Sequence, residues 1–121
     1  MITDAKSVAL AEAFKSIAIR VPGIRWIDFD AAAARCDVHP VVVDGEIAGA
    51  VLVDGHELHA CVMPWAIRRW MRKSHLALID SVIAKHGKAV TSATTEAGRQ
   101  FVERLGFVPD GGKYVKVNHG L

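Results

Sequence analysis

The 121-residue sequence predicts an α+β fold in which a mixed, mostly antiparallel sheet is flanked by helices. Three observations predict it. Three β-rich runs, 41–43, 47–53 and 58–62, are separated by Asp44-Gly45 and Asp54-Gly55, pairs that favour tight hairpin turns. Stretches of helical period stand before and after this meander. A short strand, a further helix and a closing hairpin complete an order that packs helices onto a sheet.

Taken in order, residues 4–19 carry Val8, Ala11, Phe14, Ile17 and Ala18 at helical spacing, and Val21-Pro22-Gly23 breaks that helix. Residues 24–36 admit a short strand through Ile24, Trp26, Ile27 and Phe29, with Asp30 capping a short helix after it. The meander occupies 39–63. A helix is expected over 65–86, with Ile67, Met71, Leu78, Ile79, Val82 and Ile83 as its apolar stripe and Gly87 just past its end. Residues 88–118 then read as strand, helix ended by Gly106, and a hairpin through Pro109-Asp110-Gly111-Gly112 to Tyr114–Val117. No repeat, linker or low-complexity tract interrupts the chain, so residues 1–121 are expected to form one domain.

Composition narrows the function classes. Half the residues are hydrophobic (51%) and the net charge is only +2, which fits a packed domain and gives no global pull toward nucleic acid or membrane. No apolar run reaches the roughly 18 residues that span a bilayer. Asp4 and Glu12 interrupt the N-terminal stretch where a signal peptide is basic and then apolar, so a cytoplasmic location is expected. Cys36 and Cys61 sit in apolar surroundings and read as reduced thiols.

The cations are few but concentrated. On the expected helix, Arg68, Arg69, Arg72 and Lys73 share one side of the first two turns, where the helix dipole disfavours positive charge. Two readings stand: guanidinium forks holding a phosphate or another anion, or a solvated basic face paired with nearby acids. A nucleic-acid backbone is a weaker third partner. Trp65 and Trp70 flank the cluster, either to stack a base or to pack. His59 and Cys61 share a strand face while His56 points the other way, and no further ligand is evident, so no metal site is expected. Thr91, Ser92, Thr94 and Thr95 precede the last helix, with Thr94 or Thr95 as its N-cap. Tyr114, the sole tyrosine, is a candidate proton donor.

A strand, Glu57–Pro64, running into RRWMRK, followed later by Phe101-Val-Glu-Arg-Leu-Gly-Phe107, resembles the GNAT superfamily of acyl-CoA N-acyltransferases over about residues 41–109. More narrowly, these segments resemble small podophage-encoded GNAT-like proteins, some of them described as internal virion proteins. The resemblance implies a splayed central strand pair and acetyl-CoA along Val62, Met63 and the basic turn, with Arg68, Arg69, Arg72, Lys73 and Ser74 at its phosphates. By position on the strand, it also implies Glu57 or His59 as a base.

The chain departs from the family at three points. The family's phosphate loop carries glycines, yet residues 64–76 contain none. The positions of the family's Asn and of its tyrosine general acid are Thr95 and Val102, and valine has no proton to donate. The expectation is therefore a small phage-type GNAT-like protein with a degenerate acyl-CoA site and lost or vestigial chemistry. It would serve as a virion-associated or host-interaction component, with a second copy or phage structural proteins as partners. The alternative is an active acetyl-CoA-dependent N-acetyltransferase acting on an amine.

Overall fold

A computed structural model describes residues 4–71, 73–93 and 95–117. Arg72 and Thr94 lie outside the described residues, as does the last residue of the expected 88–118 segment. The chain divides into two compact units, Met1–Asp54 with His59–Met71, and Gly55–Leu58 with Arg72–Leu121.

The first unit opens with α1, Ala5–Arg20, whose N-cap Asp4 accepts the Lys6 N–H at 3.1 Å. Its inward face is small: Ala9, Ala13 and Ser16 are buried, which lets the helix lie close against β1 and β2. The Ser16 hydroxyl is satisfied by donating to the Ala13 carbonyl at 2.7 Å. The next segment, which admitted a short strand before a short helix, is a single helix, α2, Trp26–Ala33. Trp26 and Phe29, three apart, share the face turned to Phe14, with ring centroids 5.3 Å and 5.6 Å from it. Arg25 grips Asp28 through Nε at 3.0 Å across the first turn. Asp30 thus sits inside the helix, and Arg25 holds the N-cap position.

Strands β1 (Asp37–Val43), β2 (Glu46–Asp54) and β3 (Glu57–Val62) follow as the meander. Asp44 and Gly45 take φ +53° and +80°, the paired left-handed geometry of a type I′ turn, which matches strand twist. The β1–β2 register shifts where Val41 faces Gly49 but Val42 faces Ile47, leaving Ala48 as the extra residue of a bulge. Beyond β3 the Met63 N–H donates to the Ala48 carbonyl at 2.8 Å, the register expected of an antiparallel hairpin closed at Gly55-His56. The unit's core joins Ala9 and Ala13 of α1, Phe29 and Ala33 of α2, Ala50 and Leu52 of β2, and Cys61 of β3.

In the second unit the opening of β3 pairs in parallel with β4 (Lys88–Thr91) at Glu57↔Val90. Strand β4 pairs antiparallel with β6 (Lys113–Val117), and β6 with β5 (Val108–Asp110), so the order from β4 outward is β4-β6-β5. Helix α3, Lys73–His86, buries His75, Ile79, Val82 and Ile83 and packs on β4. Helix α4, Glu96–Arg104, is capped by Thr95, whose hydroxyl accepts the Gly98 N–H at 3.0 Å. Its end is sealed by the Phe107 N–H on the Val102 carbonyl at 3.0 Å, with Gly106 at φ +97°. The architecture is α+β, a mixed and mostly antiparallel sheet flanked by helices. No helix among the described residues is long and apolar enough to cross a membrane.

Candidate functional site

The basic segment leaves β3 through a proline, which has no N–H and presets a tight turn. A single 3-10 turn, Pro64–Ala66, follows. Three successive backbone bonds wind the chain onward: Ala66 N–H to Met63 at 3.0 Å, Ile67 N–H to Pro64 at 3.3 Å, and Arg69 N–H to Ala66 at 2.9 Å. Ala66 is fully buried beneath this coil and Trp70 is buried after it, while Trp65, Ile67, Arg68 and Arg69 face solvent.

Helix α3 is described from Lys73, and residues 65–71 of the helix expected over 65–86 are a 3-10 turn and coil instead. Arg68 and Arg69 therefore precede the helix and do not share a face of its first turns. The periodicity of Ile67 and Met71 with the later stripe cannot distinguish a 3-10 coil from an α-turn over so few residues. This removes the apparent conflict with the helix dipole for Arg68 and Arg69. Lys73 and Ser74 do lie in the first turn of α3, both exposed.

The Arg69 guanidinium has a partner. Its Nη1 donates to Asp44 Oδ2 at 2.7 Å, across 25 residues of sequence. Both side chains are more than half exposed (56% and 65%), so the pair is a weak one, worth about 0–1 kcal/mol. Asp44 owes its position to the I′ turn, where an Asp-Gly pair was legible in the sequence but its ionic partner was not. Of the residues expected along an acyl carrier, Val62 is buried and Met63 half-buried.

Chemically, the turn offers the side-chain cations of Arg68 and Arg69, both exposed. An amide cradle for a pyrophosphate needs unpaired N–H groups pointing at the ligand. Here the N–H groups of Ala66, Ile67 and Arg69 are engaged within the chain, and Pro64 has none.

Glu57, half-buried at the start of β3, accepts from Lys113 Nζ at 2.7 Å, an ion pair spanning 56 residues that the sequence did not announce. His59 is half-buried. Tyr114 is buried in β6, opposite Thr91 in β4 and Pro109 in β5, so it packs as a core residue. Thr91 donates its hydroxyl to the Leu58 carbonyl at 2.8 Å, beside the parallel Glu57↔Val90 pairing. Among the described residues no group of three or more His, Cys, Asp or Glu side chains is arranged to hold a metal.

Both thiols are poor nucleophiles. Burial pushes Cys61 up to about 11, with Arg20 opposing and Cys36 reinforcing the shift. Cys36 is raised as well, by burial first and then by Asp54. Neither therefore offers a thiolate near neutral pH. The clearest lowered acid is Glu96, held down by its hydrogen bond from Arg99 at the start of α4. No protein-family model, curated protein or solved structure matches this chain.

Proposed function

We propose that this is a GNAT-like protein whose acyl-CoA site is degenerate, acting as a virion-associated or host-interaction component without standard acyltransferase chemistry. One observation carries the proposal. In the turn after β3, where the resemblance puts the pyrophosphate, the N–H groups of Ala66, Ile67 and Arg69 donate to the chain's own carbonyls, and the Arg69 guanidinium donates to Asp44. The anion site that remains is built from side chains and accepts phosphate-bearing groups only weakly.

The reading gains support from the rest of the candidate machinery. Glu57 is engaged by Lys113, Tyr114 is packed away, and Val102 stands where the family keeps its proton donor. Exposed apolar side chains at the α1–α2 junction, Ile19, Val21, Trp26 and Ile27, are suited to docking on another protein, a second copy or a phage structural component.

A second reading, an active acetyl-CoA-dependent N-acetyltransferase, draws on the element order and on the parallel β3/β4 pairing at Glu57↔Val90. Calorimetry with acetyl-CoA separates the two. The degenerate-site proposal expects affinity weaker than about millimolar, or about 4 kcal/mol of binding. Micromolar binding with acetyl transfer to an amine would replace it by the enzyme reading. Copurification with phage particles is expected for a virion component, and its absence from purified particles would remove that role.

A further inference from the structure

We propose that Asp44 is a built-in competitor for the anion site at Arg68 and Arg69: its carboxylate occupies Arg69, and a phosphate-bearing ligand binds there by displacing it. The inference rests on the reading of the turn as a side-chain anion site and adds how that site is gated.

Both partners of the contact are held at the backbone and free at the side chain. Asp44 and Gly45 form the I′ turn at φ +53° and +80°, which fixes where the Asp44 side chain leaves the backbone. Arg69 is anchored by its N–H on the Ala66 carbonyl at 2.9 Å. The remaining freedom is rotameric, and both side chains are exposed enough to exchange partners without moving either turn.

The contact is incomplete in a way that a phosphate could improve. A guanidinium has five N–H donors, and the bond from Nη1 to Asp44 Oδ2 at 2.7 Å uses one. A phosphate group offers several acceptor oxygens and up to two negative charges, and can take two parallel N–H bonds. Arg68, the adjacent residue, is exposed and supplies a second positive charge to this short coil. The carboxylate, meanwhile, repels an arriving anion. Asp44 thus sets a threshold: anions carrying one charge gain little by replacing it, whereas phosphates carrying two or more gain both charge and hydrogen bonds.

The test is a titration of the full chain with inorganic pyrophosphate at constant ionic strength, read by NMR at the Arg68 and Arg69 side-chain and backbone N–H signals. Asp44→Asn removes the charge and keeps a side chain at ease with positive φ, so the turn is preserved. The variant is expected to bind about two- to fivefold more tightly than the parent, the range set by a solvent-exposed ion pair. Arg69→Ala is expected to lose most of the binding. Equal affinity of Asp44→Asn and the parent, with shifts at Arg68 and Arg69 in both, would overturn the competition while leaving the anion site in place. No shift at either arginine in either protein would overturn the site itself. Micromolar acetyl-CoA binding by the parent, together with tighter pyrophosphate binding by Asp44→Asn, would overturn the degenerate-site reading and leave the competition standing.

Discussion

At Gly49 the backbone of β2 takes φ +152° and passes so close to β3 that a Cβ would collide with the Cys61 carbonyl oxygen and stand 2.9 Å from the Val62 Cα. Both obstacles are backbone, which cannot swing aside as a side chain can. Gly49→Ala is therefore expected to cost at least about 3 kcal/mol, seen as a lowered midpoint of urea unfolding. A loss under about 1 kcal/mol would mean that the bulge relaxes. The same scale holds the clearest division between what was legible and what was not. Thr95 as the N-cap of α4 was readable, because a cap bonds within three residues of itself. The ion pairs Asp44–Arg69 and Glu57–Lys113 were not, since their partners lie 25 and 56 residues apart.

Among the elements, the meander, α4 and the closing hairpin follow their local patterns, since Asp44-Gly45 and Gly111-Gly112 accept the positive φ that two-residue hairpin turns require. Helix α2 does not, because Ile24, Trp26, Ile27 and Phe29 satisfy neither period cleanly and the choice falls to packing of Trp26 and Phe29 on Phe14. The start of α3 shifts for the parallel reason that burial of Ala66 and Trp70 organises residues 64–71 as a tight coil. Strand β1 lies at the edge of the first unit and carries Pro40, and β5 at the edge of the second carries Pro109. A proline withholds one edge donor and so discourages pairing with another chain. Pro40→Val is expected to raise self-association in analytical ultracentrifugation at high concentration. Sedimentation identical to the parent would show that β1 is blocked by something else.

For the molecule as a whole, a consequence of burying Cys61 is a stability that depends on alkaline pH. The folded-state value, about 11, lies above the ordinary 9.0, so the protonated thiol favours folding. The contribution is complete below pH about 9 and is lost as the pH rises toward about 11, at most about 2–3 kcal/mol. Denaturant unfolding across that interval is expected to fall less steeply for Cys61→Ala than for the parent. Coincident slopes would assign the alkaline loss to other groups.

By itself the sequence determined the α+β class, the meander, the capped and glycine-ended helix α4, and the presence of a cation-rich, glycine-free segment after β3. These depend on residues close in the chain: turn chemistry, alternation, caps. Only the tertiary structure decided that α2 is a helix, that Arg68 and Arg69 stand on a coil ahead of α3, and that Asp44 neutralises Arg69. Helix α2 and the Asp44–Arg69 pair are set by contacts between separated segments, and the coil by burial of Ala66 and Trp70; the energy of burial or charge pairing leaves no mark on local periodicity.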